Sequence, residues 1–336
     1  MTRREAETTM ATAQRAARTG TGKAATNGGH DPGPDGVPAN RRSLPARVWK
    51  ERSAYVFLLP GMLIFSVFTL AALVFALYLT FHRWSIIEPD KPFVGLTNYR
   101  DMVQDERFAE SVLNTAYFTG ASVPLSMAIG LLLALLLNLP LRFRGLFRTA
   151  FYLPVVTPSV VSAILWKWLY NGDHGLFNYY LLQGHIIDQP LLWLSDKNLA
   201  MPAVVLMSVW AGVGFSMVVY LAGLQSIPEE LYESAKMDGA GVLRRLRHIT
   251  IPMLRPTTLF LLVIGIISSL QVFTQIFVMT NGGPVNKTTT MVYYMYLWAF
   301  KYYDMGYAST LAFALFAMLL VFTGLQLRLA RRGADA

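Results

Sequence analysis

Long apolar runs separated by short polar stretches dominate the pattern of this chain. Six runs are long enough to be membrane spans, and they cover residues 54–81, 112–139, 149–170, 199–225, 257–280 and 307–327. A run of roughly 18 or more apolar residues predicts a helix that crosses the hydrocarbon core of a membrane. The pattern therefore predicts an all-α membrane protein with six transmembrane helices.

Charged residues near the ends of the runs predict how the chain is oriented, because Lys and Arg favour the cytoplasmic side. Cations are frequent before the first run, in loops 140–148 and 226–256, and after the last run. The alternate loops, at 82–111, 171–198 and 281–306, are poorer in them. We therefore expect a multi-pass plasma-membrane protein with both termini and segment 226–256 in the cytoplasm.

Composition supports a membrane protein and sets one region apart. Hydrophobic residues make up 54% of the 336 residues and charged residues only 15%, whereas soluble globular proteins carry roughly 25% charged residues. Residues 1–50 are rich in Ala, Thr, Gly, Pro and Arg and cannot bury a core. We predict a disordered cytoplasmic tail at 1–50 and a membrane domain at 51–332.

The residue types that the chain lacks narrow its chemistry. It has no cysteine, and its five histidines show no metal-ligand spacing. The six runs contain no Asp, Glu or Arg and a single lysine, Lys167, whereas ion-coupled carriers usually place ionisable groups inside the bilayer. The sequence also has no complete phosphate-binding loop. We therefore predict no catalytic residue, metal or cofactor; if the protein moves a solute uphill, another protein supplies the energy.

Polar residues cluster inside the fourth and fifth runs. Small and hydroxyl residues in membrane helices often serve only helix–helix packing. The fifth run, however, carries Ser268, Ser269, Gln271, Thr274 and Gln275, which is more polarity than packing requires. It therefore indicates a polar, partly hydrated pathway.

Segment 226–256 interrupts the apolar pattern between the fourth and fifth runs. Ser226 to Glu229 has the sequence of a capping box and predicts the start of a helix. Gly239 is suited to the left-handed turn that would end this helix. A second short helix should follow, with Val242, Leu246 and Ile249 on one face and arginines on the other.

Two interpretations of this segment compete. An amphipathic helix could lie on anionic lipid through its arginines, or the segment could dock a cytoplasmic protein. Lipid binding would not need the acidic residues Glu229, Glu230, Glu233 and Asp238, so the acidic residues favour docking.

The same stretch resembles the EAA loop of bacterial ABC importer permeases, whose pattern is E-A-A-x-x-D-G-A followed by I-x-L-P. Here Glu233-Ser234-Ala235 stands for E-A-A, Asp238-Gly239-Ala240 matches D-G-A, and Ile249 and Pro252 match the end. Ser234 and Ile251 are mild departures, as is Leu246 where an aromatic residue is common. The resemblance implies that this loop docks an ATPase, through Glu233, Ala235, Asp238, Gly239, Ala240 and Leu246.

The resemblance extends over roughly residues 50–332. The stretches FRTAFYLPVVTPSVVSAILWKWLYNGDHGLFN, TNGGP and GYASTLAF are similar to the carbohydrate-uptake branch, and to its MalF-like rather than its MalG-like permeases. The resemblance implies a type I ABC importer (MetI-like) transmembrane fold in a bacterial inner membrane. It also implies a MalG-like second permease, two copies of an ATPase subunit, an extracytoplasmic sugar-binding protein and a sugar as substrate.

In maltose-type relatives the sugar contacts come from the helix before the EAA loop and from the next helix. Carried onto this sequence, the positions are Ser208, Trp210, Gly212, Phe215, Ser268, Ser269 and Gln271. Aromatic faces and hydrogen-bonding side chains are the types that a sugar needs, although single aromatic residues also pack between helices. Two other functions remain open: a self-sufficient carrier or channel, which the absence of ionisable residues disfavours, and a docking scaffold, which the polar fifth run disfavours.

Overall fold

The structure is a computed structural model that describes residues 52–140 and 142–334. The tail predicted at 1–50 lies outside the described residues. The chain divides into two compact units, residues 1–63 and 64–336. The described part of the first unit, residues 52–63, is helical. The candidate site and the helices that support it belong to the second unit.

The described residues form α-helices and two turns of π-helix, at Ser66–Leu70 and Leu246–Thr250, and they contain no β-strand. The helices are α1 (Arg52–Phe65), α2 (Ala71–Thr80), α3 (Thr97–Gln104), α4 (Glu106–Asn138), α5 (Arg144–Val156), α6 (Ser159–Leu169), α7 (Leu176–Gln183), α8 (Ala200–Gln225), α9 (Glu229–Met237), α10 (Val242–Arg245), α11 (Ile251–Met253), α12 (Arg255–Leu270), α13 (Thr274–Met279), α14 (Met291–Phe300) and α15 (Met305–Ala334).

Four stretches are long and apolar enough to cross a membrane as single helices: Phe57–Thr80, α4, α8 and Met305–Gln326. Two further candidates are bent pairs. Helices α5 and α6 meet at 99°, and segment Val242–Met253 meets α12 at 61°. With each bent pair taken as one span, the described residues contain six candidate spans, which is the number that the apolar runs predict.

The bend between α5 and α6 has a local cause. Thr157 and Pro158 are both extended, with ψ of 130° and 132°. A residue that precedes proline is pushed out of the helical region by the proline ring. The predicted third run, 149–170, is therefore sharply bent instead of straight.

The predicted fifth run, 257–280, also differs from a single helix. Helix α12 ends at Leu270, and α13 begins at Thr274 after three non-helical residues. Neither proline nor glycine lies between residues 266 and 281, so the sequence gives no local signal for this interruption.

Helix α8 packs closely between α4 and α5 because glycines stand at the crossing points. A Cβ added to Gly130 of α4 would lie 2.5 Å from the Cβ of Ser216 in α8. A Cβ added to Gly214 would lie 2.2 Å from the carbonyl oxygen of Phe151 in α5. Small residues at such crossings let membrane helices approach each other closely. Helix α8 is accordingly the element with the most buried residues in the described chain.

The loop between α13 and α14 is attached to α4 by polar side chains. The Asn114 amide donates hydrogen bonds to the carbonyls of Asn286 and Thr289, at 2.9 and 3.0 Å. The Thr115 hydroxyl accepts one from the Met291 N–H at 3.0 Å. These two polar residues of the second predicted span therefore hold a loop in place, as the packing interpretation of polar residues predicts.

Asp105, at the N-cap of α4, joins the same end of α4 to α14 and α15. Its carboxylate accepts from the Arg107 N–H at 2.9 Å and from the hydroxyls of Tyr294 and Tyr307 at 2.5 and 2.8 Å. Burial, together with the hydrogen bond to Asp105, raises the pKa of Tyr294. The Tyr294 hydroxyl therefore stays protonated at neutral pH and remains a donor.

Candidate functional site

A cavity of about 410 Å³ lies among α4, α8, α12 and the interruption that follows α12. Its volume falls within the range of small-molecule sites. It is lined by Phe118, Ser122, Val123, Ser126, Met127, Ser159, Ser208, Gly212, Phe215, Ser216, Leu261, Ile264, Gly265, Ser268, Ser269, Gln271, Val272, Phe273, Thr274 and Gln275.

The lining is polar but uncharged. Hydroxyl and amide side chains supply ten of these residues, and none of the described lining residues carries a charge. The Ser208 hydroxyl donates to the Val204 carbonyl at 2.9 Å, and the Ser269 hydroxyl donates to the Ile266 carbonyl at 3.0 Å. Each of these oxygens keeps lone pairs that can accept a hydrogen bond from a ligand.

Aromatic rings complete the wall. Phe118, Phe215 and Phe273 contribute to it from three different elements. Rings beside hydroxyl and amide groups suit a ligand that has both an apolar face and many hydrogen-bonding groups. The cavity can therefore hold an uncharged, polyhydroxylated solute without burying an unpaired charge.

The second candidate region is the segment that connects α8 to α12 at the other end of α8. Helix α9 ends in a left-handed glycine turn, with φ of +74° at Gly239 as predicted. The Ala240 N–H donates to the Ala235 carbonyl at 2.8 Å, and the Gly239 N–H donates to the Lys236 carbonyl at 3.0 Å. This pair of bonds is the Schellman motif, which fixes the direction in which the chain leaves the helix.

The segment is attached to the transmembrane helices through one buried cluster. Tyr232 and Ile249 pack against a buried cluster whose members include Leu224 of α8 and Leu254, which precedes α12. The hydroxyls of Tyr232 and Thr250 lie 3.0 Å apart and share a hydrogen bond. Residues 226–256 therefore form a structured element joined to α8, and not a plain loop.

Large apolar side chains on this element are exposed. Met237, Val242 and Leu243 are 89%, 75% and 76% exposed, and the acidic residues Glu233 and Asp238 are exposed beside them in sequence. An apolar patch rimmed by charge is typical of a surface that binds another protein.

Comparison with known families identifies the chain. Residues 126–334 match the family of binding-protein-dependent transport system inner membrane components. The match covers more than half of the chain, and it includes α8, the segment at 226–256 and α12. The chain belongs to this family. It is thus a multi-pass inner membrane permease of the ABC importer type, with the MetI-like fold that the resemblance implies.

Similar permeases cover nearly the same length. The trehalose/maltose transport permease MalF of Thermococcus litoralis is 36% identical over 84% of this chain and 94% of its own. The lactose transport permease LacF of Rhizobium radiobacter is 34% identical over 83% and 94%. The crystal structure of a bacterial ABC transporter that imports alginate superimposes with a TM-score of 0.76, at 26% identity, over 86% of this chain and 98% of its own.

The structure brings together six of the seven residues that the resemblance assigns to sugar contact. Ser208, Gly212, Phe215, Ser268, Ser269 and Gln271 all line the cavity of this permease. The seventh, Trp210, does not: its ring packs against Trp166, with 5.5 Å between ring centroids, as part of a buried hydrophobic cluster. Trp210 lies two positions after Ser208, and residues at that spacing point to different sides of a helix.

Two expectations for segment 226–256 need correction. Ser226 does not form a capping box: it is the C-cap of α8, and its hydroxyl donates to the Gly223 carbonyl at 2.8 Å, while Pro228 is the N-cap of α9. Val242 also does not share a buried face with Leu246 and Ile249, because it is 75% exposed whereas the other two are half-buried. Of the residues expected to dock the ATPase, Glu233, Asp238 and Gly239 are exposed, whereas Ala235, Ala240 and Leu246 are half-buried.

Some lining residues were not among the predicted positions. Ser126 lies one helical turn after Ser122 on α4, and its hydroxyl is 3.5 Å from that of Ser216. The spacing of four residues could have revealed this polar stripe. Thr274 belongs to the polar cluster of the fifth run, although it is not one of the assigned sugar contacts. Ser159 begins α6 after the bend, and no spacing along the sequence indicates that it lines the cavity.

Proposed function

We propose that this permease carries a sugar through the membrane as half of a heterodimeric pathway, and that the cavity is part of the sugar path. The observation that carries the proposal is the uncharged wall of serines, glutamines and aromatic rings. Such groups can replace the water that a sugar loses on entering the protein. The names of the trehalose/maltose and lactose relatives support the same substrate class.

We further propose a neutral rather than an acidic sugar. The structural neighbour imports alginate, an acidic polysaccharide. A carboxylate that loses its water on entering a protein is stabilised by a cationic partner, and the described wall of this cavity offers only hydroxyls, amides and apolar groups.

The proposed partners follow from the family. A MalG-like permease forms the other half of the pathway, two copies of an ATPase bind on the cytoplasmic side, and an extracytoplasmic binding protein delivers the sugar. A periplasmic protein bound to an alginate pentasaccharide accompanies the alginate transporter in a second structure, which supports the last of these. The proposed membrane domain is 51–332, with residues 1–50 as a tail and both termini in the cytoplasm.

The route of coupling is proposed to run along α8. Its last residues belong to the cluster that holds the coupling segment, through Leu224, and the same helix carries Ser208, Gly212 and Phe215 on the cavity wall. The helix is continuous between these points. About 13 residues at 1.5 Å each separate Gly212 from the end of α8, or roughly 20 Å. Movement of the docked ATPase would reach the cavity over this distance through one rigid element.

Gln271→Ala tests the substrate site, and Gln183→Ala, on the exposed face of α7, is the matched control. Gln271 is exposed on the cavity wall, and a hydrogen bond from its amide to the sugar should contribute ~0.5–1.5 kcal/mol, so its loss weakens affinity roughly two- to twelvefold. We expect the KM for sugar uptake to rise with Gln271→Ala and not with Gln183→Ala. An unchanged KM in both variants would remove the cavity from the sugar path. Uptake by the chain without any ATPase would instead support a self-sufficient carrier, and no uptake in any assembly would support a scaffold.

A further inference from the structure

The interruption between α12 and α13 is held from outside by a run of three threonines. Thr288, Thr289 and Thr290 follow one another just before α14, and all three are buried. In a chain that faces lipid over much of its surface, three consecutive buried hydroxyls require partners. Each of them finds one on or beside α13.

Two of the threonines hold the far end of α13. The Thr288 hydroxyl lies 2.7 Å from that of Thr280, the C-cap of α13, and donates to the Gly283 carbonyl. The Thr289 hydroxyl donates to the Gly282 carbonyl at 3.1 Å. The turn that leaves α13 is therefore fastened to the threonine run.

The third threonine holds the near end. The Thr290 hydroxyl donates to the Val272 carbonyl at 3.1 Å, inside the interruption itself. In a continuous helix that carbonyl would accept from the N–H of residue 276. Thr290 is fully buried and Val272 is 5% exposed, so this bond is shielded from bulk water.

Thr290 also occupies a position at which a threonine side chain usually caps a helix. It is the N-cap of α14, where a threonine oxygen ordinarily accepts from the second or third N–H of the helix. Here the side chain makes no capping bond, and the hydroxyl is directed at Val272. The threonine is fixed in turn, because the next N–H, of Met291, donates to Thr115 of α4.

We propose that Thr290 is a positioning residue of the cavity. By holding the Val272 carbonyl it keeps α12 and α13 apart and so sets Gln271, Phe273 and Thr274 on the cavity wall. Without the donor, the buried carbonyl is best satisfied by helix closing over the interruption, which carries Thr274 away from the cavity. The effect on sugar affinity rests on the proposed sugar path, whereas the effect on Thr274 does not.

The chain contains no cysteine, so a single introduced thiol reports its position without background from this subunit. The probe is Thr274→Cys in the full chain, labelled with a membrane-impermeant maleimide in vesicles from cells that express the whole transport system. Ser208→Cys, on the α8 side of the same cavity, provides the reference thiol. Each probe is combined with Thr290→Val, which keeps the shape of the side chain and removes the hydroxyl donor. Each is also combined with Thr290→Ser, which keeps the hydroxyl.

We expect Thr290→Val to slow labelling of the probe thiol at position 274 about tenfold, as expected for a lost buried hydrogen bond. The reference thiol at position 208 should be labelled at the parent rate, and Thr290→Ser should restore labelling at position 274. Thr310→Val is the matched control, because Thr310 is equally buried but donates within its own helix, to the Gly306 carbonyl. It should change neither rate. If Thr290→Val does not accumulate in the membrane, Thr290→Ala removes the same donor and is judged by the same rates.

Measurements of sugar uptake test the positioning role of Thr290 separately from the proposal that the cavity is the sugar path. Suppose that labelling of the probe thiol falls, and that Thr290→Val in the otherwise unmodified chain raises the KM for sugar with little change in kcat. The positioning role of Thr290 and the proposed sugar path are then both supported. If labelling falls and KM is unchanged, Thr290 positions the cavity but the cavity is not the sugar path. If the probe thiol is labelled at the parent rate in Thr290→Val, or if the reference thiol slows equally, the positioning role is wrong.

Discussion

Gly239 offers a sharp test of the proposed coupling segment, residues 226–256. A side chain at this position is disfavoured by the left-handed backbone angles, but it would not collide with any neighbouring atom. The residue has φ of +74°, and a Cβ built on it would have no heavy atom within 4 Å. Left-handed angles cost a residue with a Cβ roughly 1–2 kcal/mol, and the cost is greatest for a β-branched residue. Gly239→Val should therefore reduce the population of the native turn about five- to thirtyfold.

The chain supplies a matched control two residues later. Gly241 also has no heavy atom within 4 Å of an added Cβ, but its φ is −67°. Gly241→Val adds the same side chain to the same exposed segment without backbone strain. Asn tolerates left-handed angles better than other residues with a Cβ, so Gly239→Asn should fall between the parent and Gly239→Val.

The assay is co-purification of the ATPase with the permease, followed by sugar-stimulated ATP hydrolysis in the reconstituted complex. We expect Gly239→Val to lower both, to exceed the effect of Glu233→Ala, and to leave the amount of inserted permease unchanged. Glu233 is exposed, so its loss removes at most one polar contact with the partner. Normal coupling by Gly239→Val, or equal damage by Gly241→Val, would refute the claim that the turn at Gly239 directs the docking surface.

Two further predictions concern stability and orientation. Gly282→Ala should destabilise the permease by about 1–3 kcal/mol or more, because φ is +78° and the new Cβ would lie 2.6 Å from both the Thr289 hydroxyl and the Tyr293 ring. Its melting temperature should fall, whereas Gly120→Ala, with no heavy atom near the new Cβ, should not lower it. A reporter that is active only in the cytoplasm and is fused after Arg332 should be active; an inactive but well-expressed fusion would contradict the proposed orientation.

The helices could be predicted from the sequence because their signals are local. An apolar run of sufficient length predicts a spanning helix whatever the rest of the chain does. The bend between α5 and α6 was also visible in principle, since Pro158 disfavours helix at Thr157. The interruption at residues 271–273 was not, because the Val272 carbonyl is held by Thr290, 18 residues away.

In the candidate site, too, some residue positions could be predicted from local sequence signals and others could not. Ser208, Gly212 and Phe215 follow one another at spacings of four and three, so a single helix face brings all of them to the cavity. Trp210 has a residue type that suits a sugar site, although its position on the helix turns it toward Trp166. Ser226 matches a capping pattern, but α8 continues to Gln225 and uses the serine at its own C-terminus. Trp210 was assigned by its position relative to relatives, and helix phase places its ring against Trp166 instead of on the cavity wall. The capping pattern at Ser226 did not take account of the helix that precedes it.

The two helices that leave the coupling segment meet the cavity in different ways. Helix α8 reaches it unbroken, whereas α12 begins after a 61° bend beside Leu254 and ends at the interruption before α13. An unbroken helix transmits a displacement along its length, while a bend and an interruption are places where backbone angles can change. A displacement of the coupling segment would therefore move the Ser208 wall as one body and would alter the angle of the Gln271 wall. The hydroxyl of Thr290 donates to the Val272 carbonyl, next to Gln271, so it restrains the end of that second wall when the angle changes.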